Sequence, residues 1–425
     1  VTTFEALETG ASEAIRDPLW GHVYMAPELA EVMAGPAFQK LRRILQLGPA
    51  SAVYPGATHT RAAHSLGVYH LARRLLRHLL ERGASAWTTP VGVRSFLAAA
   101  LLHDIGHFPY AHSLKELPLA DHENLTGVLI AGPALRGAVA ASGADPEMAA
   151  AVVDHGRPAD AEVAFYRRLL SGVLDPDKLD YLNRDARYCG VPYGAQDVDF
   201  TYSRLFPHPE RGVDIDGRGI PAVEAILFAK YLMYRSVYWH RGVRVATAMV
   251  KTAVRAGLAD GAIAGPELYG LDDDGLFVLL ASRPHPAFAL AAAVRAGRSY
   301  ACVAEIPLEP DLAGAAGLAD LGRRSAIEAA VAGALGRRIG SAIGPYGLIV
   351  DLPEPISFET DLYVADQGVR FAAAATVFGP DGVAGFARSL RVLRLAASPE
   401  TAAKLAEKPL DKREAVELVL RAAEI

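Results

Sequence analysis

Leu101-Leu102-His103-Asp104-Ile105-Gly106-His107-Phe108-Pro109-Tyr110-Ala111-His112 is the stretch on which the reading of this chain turns. The apolar run at 96–102 predicts a helix whose C-terminal end delivers an adjacent imidazole and carboxylate, after which Gly106 and Pro109 turn the chain. Imidazole with carboxylate is the mixed ligand set of Mn, Fe, Zn or Mg ions that keep open positions for water and phosphate. Two ligands do not hold an ion, so partners must come from elsewhere. His64, in Thr60-Arg61-Ala62-Ala63-His64-Ser65, and Asp177, in Leu174-Asp175-Pro176-Asp177-Lys178, are the candidates.

The string sits in a histidine-rich window. Of 13 histidines, eight (His59, His64, His70, His78, His103, His107, His112 and His122) lie between positions 59 and 122, where even scatter would place about two. His70 and His78 lie on an Ala- and Leu-rich helical stretch and read as packing residues.

The surrounding 425 residues are 51% hydrophobic and 21% charged, with a formal net charge of -5. That balance excludes disorder and gives no basic excess of the kind a dedicated nucleic-acid binder shows. Cys189 and Cys302 form no CxxC pair, which argues against a disulfide framework and for the reducing cytoplasm. Residues 1–20 do not read as a secretory signal, and no apolar run reaches membrane-span length, so a soluble cytoplasmic protein without membrane partners is expected.

From about 36 to 259 apolar residues recur at three- and four-residue intervals, the pattern of amphipathic helices packed into a bundle. One exception, residues 212–220, alternates around Asp216-Gly217 and reads as a short β-hairpin. Beyond about 265 the segments 300–306, 346–352 and 361–365 look like strands, with a helix at 323–335 and a helical tail from 399. The fold class is therefore mostly α, with a C-terminal mixed α+β region, divided as 1–260 and 261–425. No GxxxxGK[ST] or GxGxxG loop occurs, so any nucleotide phosphates must be held by another device.

The order of motifs resembles the HD-domain metal-dependent phosphohydrolases. Within them it is similar to the deoxynucleoside triphosphate triphosphohydrolases typified by the sterile-alpha-motif-and-HD-containing dNTPase of animals and its bacterial relatives. The resemblance runs through Asp17-Pro18-Leu19-Trp20-Gly21-His22, Phe38-Gln39-Lys40-Leu41-Arg42, Leu45-Gln46-Leu47-Gly48 and Tyr54-Pro55-Gly56-Ala57 with His59, Arg61 and His64. It continues through the His103-Asp104 string, His122-Glu123, Asp177-Lys178-Leu179-Asp180-Tyr181 with Arg184-Asp185, and Tyr231 to His240. No counterpart of the sterile-alpha-motif domain is present in this sequence.

This resemblance implies an HD-domain helical bundle that hydrolyses deoxynucleoside triphosphates to deoxynucleoside and inorganic triphosphate. It implies a divalent ion on His64, His103, Asp104 and Asp177, for which Mn, Mg, Fe and Zn all suit the ligands. His112 would protonate the leaving 5′-oxygen, with His107 and His122 beside the α-phosphate. Arg61, Lys178 and Lys230 would clamp the triphosphate and Tyr181 donate a hydroxyl. Gln46 and Asp185 would read the 3′-hydroxyl, Tyr238 would exclude a 2′-hydroxyl, and Leu47 would line the base or sugar. A homo-oligomer and weak binding of single-stranded nucleic acid are further expectations.

Plainer readings stand beside these: Arg61, Lys178 and Asp185 as structural ion pairs, Tyr238 and Leu47 as ordinary core. A phosphodiesterase or nucleotidase, or a nucleotide sensor, on the same platform is the alternative. The sequence departs from the family at Ala34, where animal members carry a guanine-reading carboxylate, and at Lys115, where an acidic partner of His112 is expected. A shifted register would put Glu116 in that role.

Overall fold

At the centre of the protein the helix Pro90–Leu102 is buried on nearly every side from Phe96 to its end. It starts where the Thr89 hydroxyl accepts from the backbone N–H of Gly92 at 2.9 Å, and Pro90 fills the first turn, where a missing N–H costs nothing. The computed structural model describes residues 1–8, 12–308 and 315–424.

Two longer helices flank this one. Arg61–Glu81 is capped by Thr60 and lays Val68, Leu71, Leu75 and Leu79 into the core, each buried side chain stabilising the fold by about 1.5–3 kcal/mol. Pro176–Cys189 is capped by Asp175, which accepts from Lys178 N at 2.6 Å, and it stops at Gly190 in the left-handed conformation, φ 69°. These two helices pack on each other at Gly67. A Cβ there would stand 1.8 Å from Asp180 Oδ1, so only glycine admits the approach.

The helix Arg241–Ala259 opens a second core with Phe288–Arg295, Phe108 and Leu114. A third core lies on an antiparallel sheet in which Val392–Ala397 runs between Ala301–Pro307 and Leu348–Asp351. The helices Leu321–Ile339 and Lys412–Glu424 pack in that third core. Packing crosses residue 260 in one further way. Phe358, Leu362, Val364, Phe371, Phe378 and Leu390 all belong to the first core, with Phe38 and Phe96.

The expected strands appear at Ala301–Pro307, Leu348–Asp351 and Tyr363–Val364, and the tail forms two helices, Pro399–Glu407 and Lys412–Glu424. The hairpin expected around Asp216-Gly217 is displaced. Its strands are Leu205–His208 and Gly212–Ile215, with Leu205 opposite Ile215, so the reversal falls at 209–211. His208 Nδ1 accepts from the backbone of Glu210 and Arg211 at 3.2 and 3.1 Å, and Gly212 takes φ +78°. Gly217 N instead donates to Asp366 at 2.8 Å as the chain turns into the helix Ile220–Met233. Alternation does not mark the hairpin Glu13–Asp17 with Gly21–Met25, nor Val392–Ala397, whose residues are buried on both faces. Among the described residues no helix is long and apolar enough to cross a membrane.

Candidate metal centre

The end of Pro90–Leu102, the first turns of Arg61–Glu81 and the start of Pro176–Cys189 meet at one point. His64, His103 and Asp177 bring one donor atom each to within 4.8 Å of one another. His103 Nδ1 donates to the Ala100 carbonyl at 3.0 Å, which fixes the tautomer and leaves Nε2 as a lone pair aimed inward. That Nε2 is buried with no hydrogen-bond partner, which fits a nitrogen placed to hold a metal. Asp104 Oδ1 lies 3.4 Å from it. Gly106 and Thr126 brace the turn: Thr126 Oγ1 accepts from Gly106 N at 2.9 Å and donates to the His103 carbonyl at 3.0 Å.

His64 donates from Nδ1 to Asp180 at 2.8 Å, and its Nε2 lies 2.9 Å from Asp177. Burial alone would pull this imidazole down, but the two carboxylates override it and hold it up at about 10. The proton it shares with Asp177 stands where a cation would stand, and the donor set fits a divalent ion that displaces it. Asp104 is held well below the usual carboxylate range. Burial opposes that shift, but His107, His103 and Arg61 outweigh it.

Beside the centre His107, His112 and His122 form a second group, the first buried, the last half-buried and His112 exposed at the cavity, with ring centroids 4.0–4.9 Å apart. His107 Nδ1 is 3.1 Å from Asp104 and its Nε2 is 3.1 Å from His112 Nε2. Burial, with Arg61 and His122 beside it, pulls His112 down to about 3, and His107 and His122 are lowered for the same first reason. All three are neutral at pH 7 in the ligand-free protein.

A cavity of about 460 Å³ opens next to these groups. Gln46, Leu47, Arg61, His112, Tyr181, Asp185, Lys230 and Tyr238 all line it. Arg61 joins the two regions, donating to Asp104 at 2.7 Å. Asp185 accepts from Tyr238 and from His59, each at 2.7 Å, and Gln46 Oε1 is buried without a partner.

The family described as HD domain matches residues 61–181, which carry every one of these candidate ligands. The chain carries an HD domain. A second family, described as HD associated region, matches 208–368. YwfO of Bacillus subtilis, described as uncharacterized, is 36% identical over 245 residues, 55% of this chain and 53% of that one. The deoxynucleoside triphosphate triphosphohydrolase SAMHD1 of Bos taurus is 41% identical over 113 residues, 26% of this chain and 19% of its own. A solved Bacteroides thetaiotaomicron structure described as a phosphohydrolase shares the fold, with TM-score 0.68 and 22% identity over 91% of this chain and 99% of that one. The chain spans about half the length of the curated relatives it matches.

Within the HD domain some expected roles fall elsewhere. Lys178 does not line the cavity; its Nζ is held by Asp175 at 2.8 Å, Glu359 at 2.9 Å and the Gly172 carbonyl at 2.9 Å. Glu116 is not the partner of His112, because it pairs with Lys251, while Lys115 pairs with Glu354 at 2.9 Å. The nearest partner of His112 is His107. His70 stacks on Trp20 and His78 bonds the Leu205 carbonyl, as packing residues do. Beside Ala34, Gln39 donates to the Met33 carbonyl at 2.7 Å.

Sequence reasoning did not single out Asp180. It orients His64 and is itself held by Arg184 at 2.8 and 2.9 Å and by Trp20 Nε1 at 2.5 Å, and Arg184 also reaches Asp17. The signal available was Gly67, a helix-interior glycine that costs about 1 kcal/mol unless close packing requires it.

Proposed function

We propose that this HD-domain protein is a metal-dependent phosphohydrolase that cleaves deoxynucleoside triphosphates at the α-phosphorus, giving deoxynucleoside and inorganic triphosphate. The observation that carries this reading is the sharing of Arg61 and His112 between the metal centre and the cavity. A triphosphate bound there has its reacting phosphorus beside the ligands and its sugar beside Asp185. The relative SAMHD1, named for this activity, supports the choice of substrate.

An ion held by His64, His103, Asp104 and Asp177 supplies Lewis acidity toward a water and toward the α-phosphoryl oxygens when bound. The chain's own groups do the rest. Arg61 places a fixed positive charge at the α-phosphate while keeping Asp104 ionised. Lys230, whose ammonium burial lowers, sits in the same wall and gains an anionic partner when phosphate enters. His112 is neutral at rest, so it takes up its proton as the polyanion arrives beside Arg61, and delivers that proton to the leaving 5′-oxygen. Tyr238 and His59 hold Asp185 in the orientation that accepts from a 3′-hydroxyl, and the Tyr238 ring limits room at the 2′ position. Gln46, with its unpartnered Oε1, supplies a second acceptor to the sugar.

The test is to incubate each of the four deoxynucleoside triphosphates with purified protein and Mn²⁺ and resolve the products. Inorganic triphosphate with deoxynucleoside is expected, with ribonucleotides hydrolysed more slowly. Release of pyrophosphate or orthophosphate instead sinks the reading and favours a different phosphoester.

A further inference from the structure

Residues 353–359, Pro-Glu-Pro-Ile-Ser-Phe-Glu, cross the cavity wall as an extended strap. No backbone–backbone hydrogen bond involves any of them among the described residues. Side chains fasten the strap instead. Arg391 Nε donates to the Pro353 carbonyl at 3.1 Å, Phe358 is buried in the first core, and Lys230 Nζ donates to the Ser357 carbonyl at 2.9 Å. Two ion pairs complete the set, Lys115 with Glu354 and Lys178 with Glu359, both at 2.9 Å.

The two partners in the Lys178 pair are unequal. Lys178 is 15% exposed and cannot leave its place without stranding a buried charge, whereas the Glu359 carboxylate is 45% exposed and returns to water cheaply. The strap also lacks the ladder bonds that would resist its release. A polyphosphate brings several charges to the same wall and replaces one carboxylate contact by several charge-assisted bonds.

We propose that the strap is an anion-exchange gate. In the ligand-free protein Glu354 holds Lys115 in the cavity wall and Glu359 covers Lys178 beside it, each in place of phosphate, and an entering polyphosphate displaces the two carboxylates, freeing the strap and uncovering the Lys178 ammonium where it stands. This rests on the polyphosphate reading of the cavity.

The probe is inorganic triphosphate, titrated calorimetrically into the full chain and into Glu359→Gln. Removing the competing carboxylate tightens binding by about two- to fivefold, the range for a partly exposed ion pair, and adding Lys178→Ala abolishes that gain. Cleavage by a Glu-specific protease after Glu359 in the wild-type chain becomes faster when triphosphate is added. Unchanged or weaker binding by Glu359→Gln, protection of the strap by triphosphate, or no binding by either protein overturns the gate. The hydrolytic reading stands or falls separately, on triphosphate release from deoxynucleotides. A chain that binds triphosphate through the gate but cleaves nothing keeps the gate and loses the reaction.

Discussion

Asp180 accepts a hydrogen bond from Nδ1 of His64 at 2.8 Å, although the two residues are 116 positions apart. The contact exists because two helices cross at a glycine. It makes Asp180 the group that decides which imidazole nitrogen faces the centre.

Loss of that contact weakens metal binding while sparing the ligands themselves. Asp180→Asn lowers affinity for Mn²⁺ or Zn²⁺ by about 10- to 100-fold, read by competition with a chromophoric chelator. Asp180→Ala in addition strips Arg184 of its closest partner in the core, and it lowers folding stability by about 3 kcal/mol in urea titrations.

Metal binding releases a proton. His64 is held up at about 10 by its two carboxylates, so it is protonated at pH 7.5, and a metal takes only the neutral ring. Calorimetry in buffers of different ionisation enthalpy gives about one proton released per ion, and affinity rises with pH. His64→Ala abolishes both. Release that is independent of His64 refutes the assignment.

His112→Ala lowers turnover of deoxynucleoside triphosphates by about 10²- to 10⁴-fold, the range for loss of a general acid, with metal content unchanged. Near-full turnover in this variant returns His112 to a purely structural role.

Stability falls with acid in a window set by His70. Burial against Trp20, with Arg74 and Arg73 near, lowers its folded value to about 4 from 6.5. The unfolded chain therefore binds the extra proton between those values. The neutral ring's contribution is whole above pH 6.5 and is lost as pH falls toward 4, on the order of 2 kcal/mol. His70→Gln flattens this part of the curve of Tm against pH.

Gly67→Ala drives a methyl group into the Asp180 carboxylate. Backbone separation of the two helices costs about 1–3 kcal/mol and shows as a lower Tm together with weaker metal binding.

The gathering of the candidate ligands was legible because such residues are chemically rare in combination. Adjacent His103 and Asp104 after an apolar helix, with His64 and Asp177 in ordered motifs, are marked by residue type alone. What the sequence concealed depends on crossings and on competition between partners. Lys178 reads as a phosphate cation until Asp175, the helix cap three residues before it, and Glu359, 181 positions away, are seen to hold it. Asp180 reads as one more polar residue on an amphipathic helix. The hairpin reversal slipped because local alternation fits several registers, and the side chain of His208 selects one of them.

The return of residues 358–390 to the first core bears on how this chain is made. Phe358, Phe371 and Phe378 join a core that includes Ile226 and Met233, and Phe378 packs edge-on to Phe228, residues which a ribosome delivers well over a hundred residues earlier. Until they emerge, that part of the core is bare. At about 5–20 residues per second the nascent protein carries an unfinished apolar face for several seconds. Holdase chaperones have a natural station there, and a stop codon placed after residue 260 yields a sticky fragment rather than a smaller folded protein.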